Sequence, residues 1–208
     1  MSDTTLKLYT FPLSGNAHRV ELALSLLGLN YELVKVDLAA GEQRSDWYQK
    51  LNPVGKVPVL VDGDTVITES TAILAYLAAK FDDGTWMPDD AALAADVHKW
   101  FARATSLLAA GPAAARLITL FGAGFDSEET IKKGHDFLAL LEAELAGLEY
   151  LVAGRPTFAD VAIYTYTAHA PEGHVSLEAY PNVRRWIAAV EALPGFVGMQ
   201  KTDVSAAA

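Results

Sequence analysis

The side chains at positions 69 and 70 are of a kind that can bind an amino acid. Glu69 and Ser70 stand where a helix is predicted to begin, because Ile73 and Leu74 continue an apolar helix face. The first turn of a helix has unpaired N–H groups and a partial positive charge. This point therefore combines a carboxylate, a hydroxyl and backbone donors, which suits a ligand that carries both charges of an amino acid.

A proline in an apolar segment marks a second place where a ligand could bind. Pro58 lies between Val57 and Val59, in a segment that otherwise has the composition of a strand. Because proline removes a hydrogen bond of the strand, we expect a cis Val57-Pro58 bond here. That geometry would leave the Val57 N–H and C=O free to pair with the backbone of a bound peptide.

The charge of the chain argues against a nucleic-acid partner. Its 208 residues include 16 Lys and Arg against 26 Asp and Glu, for a net charge of −10. A nucleic-acid surface concentrates Lys and Arg to neutralise phosphates. An anionic ligand would need basic side chains, and the first third of the chain supplies candidates for this role. They are Arg19, Arg44, Lys50 and Lys56.

The absence of cysteine limits the chemistry. It excludes disulfides, cysteine-bound metals and a catalytic thiol of the protein, so any thiol chemistry must use the sulfur of a ligand. The first five residues lack the features of a signal peptide, and the most apolar stretch, residues 107–125, contains Pro112 and Arg116. We therefore expect a cytoplasmic protein with no membrane partner.

The apolar pattern divides the chain into two halves. Residues 1–80 alternate strand-like and helix-like segments, at 6–11, 16–27, 31–36, 42–50, 57–61, 65–68 and 69–80. The first three predict a βαβ unit with parallel strands, and Asp62-Gly63-Asp64 predicts a hairpin. This order is the thioredoxin-like arrangement.

The second half is predicted to be helical. Residues 81–90 have the composition of a linker, and residues 91–208 show helical patterns at about 91–110, 113–121, 128–148, 157–168 and 182–193, before a short Ser-Ala-Ala-Ala tail. Gly111-Pro112 is expected to break the first pair of helices. Thr157 and Asp160 have the spacing of a capping box, which predicts a structural role for Asp160.

Taken together, these features resemble the cytosolic glutathione transferases. The resemblance covers nearly the whole chain and implies an α/β thioredoxin-like domain that binds glutathione, followed by an all-α domain. The segment Phe11-Pro12-Leu13-Ser14 is similar to the serine-type enzymes, in particular phi- and theta-like bacterial members. In those enzymes a serine at this place hydrogen-bonds the glutathione sulfur, which implies that catalytic role for Ser14.

The same resemblance implies which residues hold glutathione. They are Gln43, Arg44, Lys56, Val57, Pro58, Glu69 and Ser70. Phi-type enzymes have histidine and lysine in place of Gln43 and Arg44, and often glutamine in place of Lys56, so the chain departs from the pattern there. Glutathione would be a co-substrate, and no other cofactor or metal is predicted, since the histidines lack metal-ligand spacing.

Three residues near Ser14 offer alternatives. Tyr9 is comparable to the tyrosine of other transferases, but that tyrosine would fall at Thr10, on the opposite face of the strand, so we expect Tyr9 to pack. Asn16 is either a second donor to sulfur or a helix N-cap. His18 lies one turn after Ser14, but no nucleophile elbow or acid partner supports a hydrolase.

The chemistry would be stabilisation of a thiolate. A free thiol with a pKa of about 8.5 is only about 3% ionised at pH 7, and lowering its pKa by about two units requires roughly 2.7 kcal/mol. A hydroxyl donor from Ser14 and the positive end of the helix near Asn16 could supply it jointly. Arg19 is expected either to form a structural ion pair or to add to the field of the ligand.

A small hydrophobic electrophile is the expected second substrate. The resemblance places it between the two halves, against Phe11, Leu13, Phe101, Thr105 and Leu108, unless these residues form a domain-interface core. The same residues would serve conjugation, peroxide reduction, dehalogenation or isomerisation. The family also implies a homodimer, and the alternative function is a non-catalytic binding or regulatory protein of the same fold.

Overall fold

The structure is a computed structural model that describes residues 5–204. The first four residues, on which the expectation about a signal peptide partly rests, lie outside the described part of the chain, as does the Ser-Ala-Ala-Ala tail. The described chain forms two compact units.

The first unit contains four strands and three α-helices. The strands are β1 (Leu6–Thr10), β2 (Tyr31–Lys35), β3 (Val59–Asp62) and β4 (Thr65–Thr68), and the helices are α1 (Gly15–Leu26), α2 (Asp46–Leu51) and α3 (Ser70–Phe81), with a 3-10 turn at Glu42–Arg44. The strand order is β2-β1-β3-β4. β1 and β2 are parallel, and the other pairs are antiparallel. The predicted thioredoxin-like arrangement is therefore confirmed, with the hairpin at Gly63.

The register of the sheet brings three connections to one edge. Tyr9 pairs with Val59, and Val59 pairs with Thr68. The end of β1, the start of β3 and the end of β4 therefore lie side by side. The segments that follow β1, precede β3 and follow β4 carry Ser14, Val57-Pro58 and Glu69-Ser70, so all three motifs begin from this edge.

The second unit is helical. Its helices are α4 (Ala91–Thr105), α5 (Ala114–Phe121), α6 (Ser127–Glu144), α7 (Phe158–Ala168) and α8 (Pro181–Glu191), with a π-helical segment at Ala109–Ala113 and a 3-10 turn at Ala170–Gly173. Every residue of α7 except the last is buried, so this helix forms the centre of the unit. The predicted all-α second half is confirmed for the described residues.

The prediction that Gly111-Pro112 breaks the helix is wrong. These residues lie inside the π-helical segment, and the helical run continues into α5. A wider turn accommodates a residue that lacks an N–H donor. A Cβ added to Gly111 would lie 2.7 Å from the Gly134 backbone nitrogen, so the glycine is required by the close approach of α6 rather than by a chain break.

The division into units differs from the predicted domains at the C-terminus. One unit runs up to Asp83 and also includes Pro194–Gln200, whereas the prediction assigned all residues after 90 to the helical domain. Within the first unit, Ser25 Oγ donates to the Gly195 carbonyl at 2.6 Å. The helical run 91–121 is long and apolar enough to cross a membrane by length and composition, but buried core helices meet the same test, and 44% of its window is buried.

The capping box of α7 is confirmed and is larger than predicted. Asp160 is fully buried and accepts hydrogen bonds from the Thr157 N–H and hydroxyl, at 2.8 and 3.1 Å. Its other oxygen accepts from the Leu151 N–H at 3.0 Å and from the Trp186 indole at 2.8 Å. Asp160 therefore connects the start of α7 to the preceding loop and to α8, which supports its structural role.

We expect Asp160→Ala to lower the free energy of unfolding by about 2–3 kcal/mol, because it leaves several buried donors without an acceptor. Urea denaturation measures this. Asp126→Ala is the matched control, because Asp126 caps the exposed start of α6 through the Glu129 N–H, and its loss should cost about 0.5–2 kcal/mol. Equal losses in the two variants would contradict the wider role of Asp160.

Candidate active site

Ser14 is the N-cap of α1. Its Oγ accepts a hydrogen bond from the Ala17 N–H at 3.2 Å. A serine hydroxyl has one hydrogen to donate besides its lone pairs, and the structure records no acceptor for it among residues 5–204. Ser14 therefore keeps a donor available at the positive end of α1, which is the arrangement that favours a bound anion.

The expectation that Asn16 caps the helix is wrong, because Ser14 occupies that position. Asn16 lies in the first turn of α1, where its Oδ1 accepts from Arg19 Nη1 at 2.9 Å. This bond directs the other end of the amide, which is a donor, away from Arg19. A role for Asn16 as a second donor to an anion is compatible with this geometry.

Arg19 connects α1 to the start of α3. The side chain is 1% exposed, and the same Nη1 atom donates to Ser70 Oγ at 2.7 Å. Ser70 is buried and is the first residue of α3. A link between residues 19 and 70 thus joins the helix that begins beside Ser14 to the helix that begins at Ser70.

Glu69 has an unusual backbone conformation at the N-cap position of α3. Its φ is 63° and its ψ is 117°, a combination that costs free energy for a residue with a side chain. The side chain is exposed, and the described part of the chain contains no recorded hydrogen-bond or ion-pair partner for it. An exposed acidic residue and a buried serine therefore stand at consecutive positions where α3 begins.

The Val57-Pro58 bond is cis, as predicted. Val57 precedes the β3 ladder, whose first pairs are at Val59, so its N–H and C=O lie outside the paired part of the sheet. Sequence reasoning missed two residues that hold this loop. The Lys56 carbonyl accepts from the Tyr48 hydroxyl and from Asn52 Nδ2, both at 2.8 Å.

Tyr48 and Asn52 are both placed to hold the loop before Pro58 in one conformation. Asn52 is 3% exposed, and its Oδ1 also accepts from the Val54 N–H at 3.1 Å. Burial, followed by the nearby Tyr9, raises the pKa of Tyr48, so its hydroxyl remains a donor. The Asn-Pro turn was the available sequence signal for Asn52, whereas nothing in the sequence indicated Tyr48.

The segment with Gln43 and Arg44 lies against the same loop. Gly55 has a φ of 66°, and a Cβ added there would lie 3.1 Å from the Gln43 carbonyl oxygen, so this contact requires glycine. Gln43 Nε2 donates to the Leu38 carbonyl at 3.4 Å, and its buried Oε1 has no partner in the described chain. The side chains of Arg44 and Lys56 are exposed, with no recorded carboxylate partner among residues 5–204.

Two of the alternative catalytic residues have other contacts. Tyr9 packs against the rings of Trp47 and Tyr48, with centroids 6.0 and 6.2 Å away, as expected for a packing role. His18 is 3% exposed, and its Nε2 donates to the Val197 carbonyl at 3.0 Å. Because that ring supports the C-terminal segment, the geometry gives no support to a serine–histidine pair.

Two of the predicted pocket residues, Phe11 and Leu13, belong to the first unit, and the contacts of Phe11 are the better defined. It is half-buried, packs on a core cluster that includes Ala17 and Val59, and lines a cavity of about 240 Å³ together with Leu33 and Met199. Leu13 is also half-buried. An apolar ligand could therefore contact Phe11 without unfolding any part of this unit.

The predicted pocket residues of the second unit differ in burial. Thr105 is exposed, whereas Phe101 is 6% exposed and Leu108 is fully buried. A fully buried side chain cannot line a pocket, so the prediction for Leu108 is wrong. α4 ends at Thr105 and the chain turns at Ser106, so the helical spacing does not continue to Leu108, and Leu107 is exposed instead.

Another polar cluster lies in the second unit. Arg116 Nε donates to Glu172 at 2.5 Å, while the other oxygen of Glu172 accepts from His169 at 2.7 Å and from the Thr202 N–H at 3.0 Å. Burial would raise the pKa of Glu172, but these hydrogen bonds outweigh it and hold the pKa below its usual range. Among residues 5–204 no group of three or more His, Cys, Asp or Glu could hold a metal ion.

Two family profiles match the chain. The profile described as "Glutathione S-transferase, N-terminal domain" matches residues 4–79, and "Glutathione S-transferase, C-terminal domain" matches residues 126–194. The first match includes every proposed glutathione-binding residue, from Gln43 to Ser70.

Proteins named as glutathione S-transferases and as an isomerase are similar to the chain, two of them over most of its length. Glutathione S-transferase Z2 from Arabidopsis thaliana is 35% identical over 205 residues, 92% of this chain and 88% of that protein. A probable maleylacetoacetate isomerase from Caenorhabditis elegans is 31% identical over 95% of this chain and 94% of that protein. A zeta class glutathione S-transferase from Euphorbia esula is 48% identical over a shorter stretch, 45% of this chain and 39% of that protein.

Solved structures are similar as well. A glutathione transferase homologue from Drosophila mojavensis, crystallised with bound glutathione, has a TM-score of 0.83 and 29% identity, and the match covers 92% of this chain and 89% of that one.

Proposed function

Since the chain belongs to the glutathione S-transferase family, we propose that it binds glutathione at the sheet edge shared by Ser14, Val57-Pro58 and Glu69-Ser70. The activity is that of a glutathione transferase, with glutathione as co-substrate. The observation that carries the placement is the Tyr9–Val59–Thr68 register, which starts all three motifs from one edge.

Each end of glutathione has a partner of suitable chemistry. Glu69 and Ser70 take the charged γ-glutamyl end, and the Val57 N–H and C=O pair with the peptide backbone of the cysteine. Gln43, Arg44 and Lys56 lie on or against the Val57 loop, where the two cations favour the glycine carboxylate. The sulfur then lies toward Ser14.

In this proposal Ser14 stabilises sulfur and is not itself a nucleophile. Its hydroxyl hydrogen has no recorded acceptor among the described residues, and it stands at the positive end of a 12-residue helix. A hydrogen bond to a charged acceptor contributes about 1.5–3 kcal/mol, which is comparable to the roughly 2.7 kcal/mol that lowers a thiol pKa by two units. The thiolate then forms a carbon–sulfur bond as a leaving group departs from an electrophilic carbon, or it attacks one oxygen of a peroxide, which breaks the O–O bond and gives a sulfenic acid of glutathione and an alcohol.

The assignment to a serine-type, phi- or theta-like subclass rests on Ser14 and its neighbours alone. The zeta-class name of one relative does not support it. We keep the serine mechanism as a proposal. Among the candidate reactions, isomerisation gains support because a relative of nearly full length is named an isomerase. Phe11 and Leu13 are the proposed contacts of the electrophile in the first unit.

The test is glutathione affinity by calorimetry, followed by turnover with a nitroaryl chloride, an alkyl hydroperoxide and a maleyl keto acid. Turnover of any of them supports the proposal and identifies the reaction. Glutathione binding without turnover across a broader panel would favour the alternative, a non-catalytic binding protein of the same fold. A protein that does not bind glutathione would contradict both. A cytoplasmic location remains part of the proposal.

We also expect a homodimer. Three apolar side chains of α4, those of Val97, Trp100 and Phe101, are buried within the chain, at 0%, 1% and 6% exposure, so they offer little surface to its interface. Sedimentation equilibrium should give twice the mass of the 22.3 kDa chain. A mass of one chain that does not change with protein concentration would contradict the dimer.

A further inference from the structure

Arg19 is a buried cation directly behind the proposed glutathione site. The residue is 1% exposed, and it lies in the second turn of α1, the helix that Ser14 caps. Arginine is rarely buried this completely unless its donors are satisfied. Two of its hydrogen bonds come from one atom, Nη1, which donates to Asn16 Oδ1 at 2.9 Å and to Ser70 Oγ at 2.7 Å.

The bond from Arg19 determines the direction of the hydrogen bond at the Ser70 hydroxyl. A guanidinium can only donate, so the Ser70 oxygen must accept, and its own hydrogen points elsewhere. The structure records no acceptor for that hydrogen among residues 5–204. A hydroxyl that accepts from a cation is also a stronger donor, because hydrogen bonds in a chain polarise one another.

Arg19 therefore determines which chemical group Ser70 can recognise. Without it, the Ser70 hydroxyl could rotate and either donate to or accept from a ligand. With it, one lone pair of the Ser70 oxygen is occupied, and the buried positive charge behind that oxygen disfavours a second donor and favours an anionic acceptor for the hydroxyl hydrogen. Glu69 next to it supplies the opposite charge.

We propose that Arg19 is a positioning residue that turns the Ser70 hydroxyl toward the ligand and makes this end of the site selective for a carboxylate. The inference rests on the proposed function, in which that carboxylate belongs to the γ-glutamyl group of glutathione. Arg19 acts through Ser70 and does not itself contact the reacting sulfur.

The test compares two ligands, glutathione and γ-aminobutyryl-cysteinyl-glycine, which has a hydrogen in place of the γ-glutamyl carboxylate. Arg19→Gln keeps a donor but removes the charge, and it should lower the affinity for glutathione about tenfold or more. The affinity for the analogue should change by less than about threefold. Arg19→Lys, which keeps the charge, should recover part of the glutathione affinity and serves as the second variant if Arg19→Gln unfolds.

A double-mutant cycle separates this role from general support of the fold. In a Ser70→Ala background, Arg19→Lys and Arg19→Gln should cost little further glutathione affinity, because the group that Arg19 orients is absent. Equal losses for glutathione and the analogue, or an undiminished loss in that background, would show that Arg19 is only structural. Absence of glutathione binding by the unaltered protein would overturn the proposed function, and this inference with it.

Discussion

Ser14→Ala should reduce conjugation near neutral pH by about 10- to 150-fold while glutathione affinity stays within a few-fold. The reason is that the lost hydrogen bond, about 1.5–3 kcal/mol, stabilises the thiolate and not the rest of the peptide. The pKa of the bound thiol should rise, so activity should partly recover as pH increases and hydroxide generates the thiolate. The thiolate absorbance of the complex against pH, together with turnover, measures both effects.

Two controls separate the sulfur contact from the cap. Because Ser14 also caps α1, Ser14→Ala should lower stability by about 0.5–2 kcal/mol. Asp90→Ala removes the cap of α4, where Asp90 accepts from the Ala92 and Leu93 N–H groups, and should cost similar stability without moving the thiolate titration. Ser14→Thr keeps a hydroxyl and a cap and should retain more activity. An unshifted titration in Ser14→Ala would transfer the role to Asn16 or to backbone donors.

The sequence predicted the features that arise from local patterns. Alternating apolar residues and the Asp-Gly turn gave the strands, and the strand pairing then placed three separated motifs at one edge. Pro58 indicated the cis bond, and the spacing of Thr157 and Asp160 indicated the capping box. The strands, the cis bond and the capping box each depend on neighbours in sequence, for which the physical rules are strict, whereas the pairing of Tyr9 with Val59 joins distant residues.

Features that depend on tertiary contacts could not be predicted in the same way. The bond between Arg19 and Ser70 joins residues 51 positions apart, and the choice of Ser14 over Asn16 as N-cap depends on how the chain leaves β1. Leu108 was placed wrongly because a regular helix was assumed from Phe101 through Leu108, whereas α4 ends at Thr105 and the chain turns at Ser106. Periodicity identifies a helix, but a single irregular residue changes which of the following side chains face outward.

Replacing both Glu69 and Ser70 with alanine should weaken glutathione binding the most. Each side chain is expected to make a charge-assisted hydrogen bond of about 1.5–3 kcal/mol, so each single variant should lose about 10- to 150-fold in affinity. Because Glu69 is exposed and has no recorded partner among residues 5–204, Glu69→Ala should change stability little. Ser70→Ala also removes the acceptor of Arg19, so its stability must be measured alongside its affinity.

Asp64→Ala is the matched control for the Glu69 variant, because Asp64 is an exposed carboxylate of the same unit in the β3–β4 turn, at the other end of the ladder. Its glutathione affinity should equal that of the unaltered protein, and so should that of Asp160→Ala wherever the variant is folded. Calorimetric titration at low and high salt adds a further distinction: a lost pairing with the ammonium should make the Glu69→Ala complex less sensitive to salt than the unaltered one. If Glu69→Ala and Ser70→Ala bound glutathione as tightly as Asp64→Ala, the amino-acid end of the ligand would have to lie elsewhere, and the proposed orientation of glutathione along this edge would be wrong.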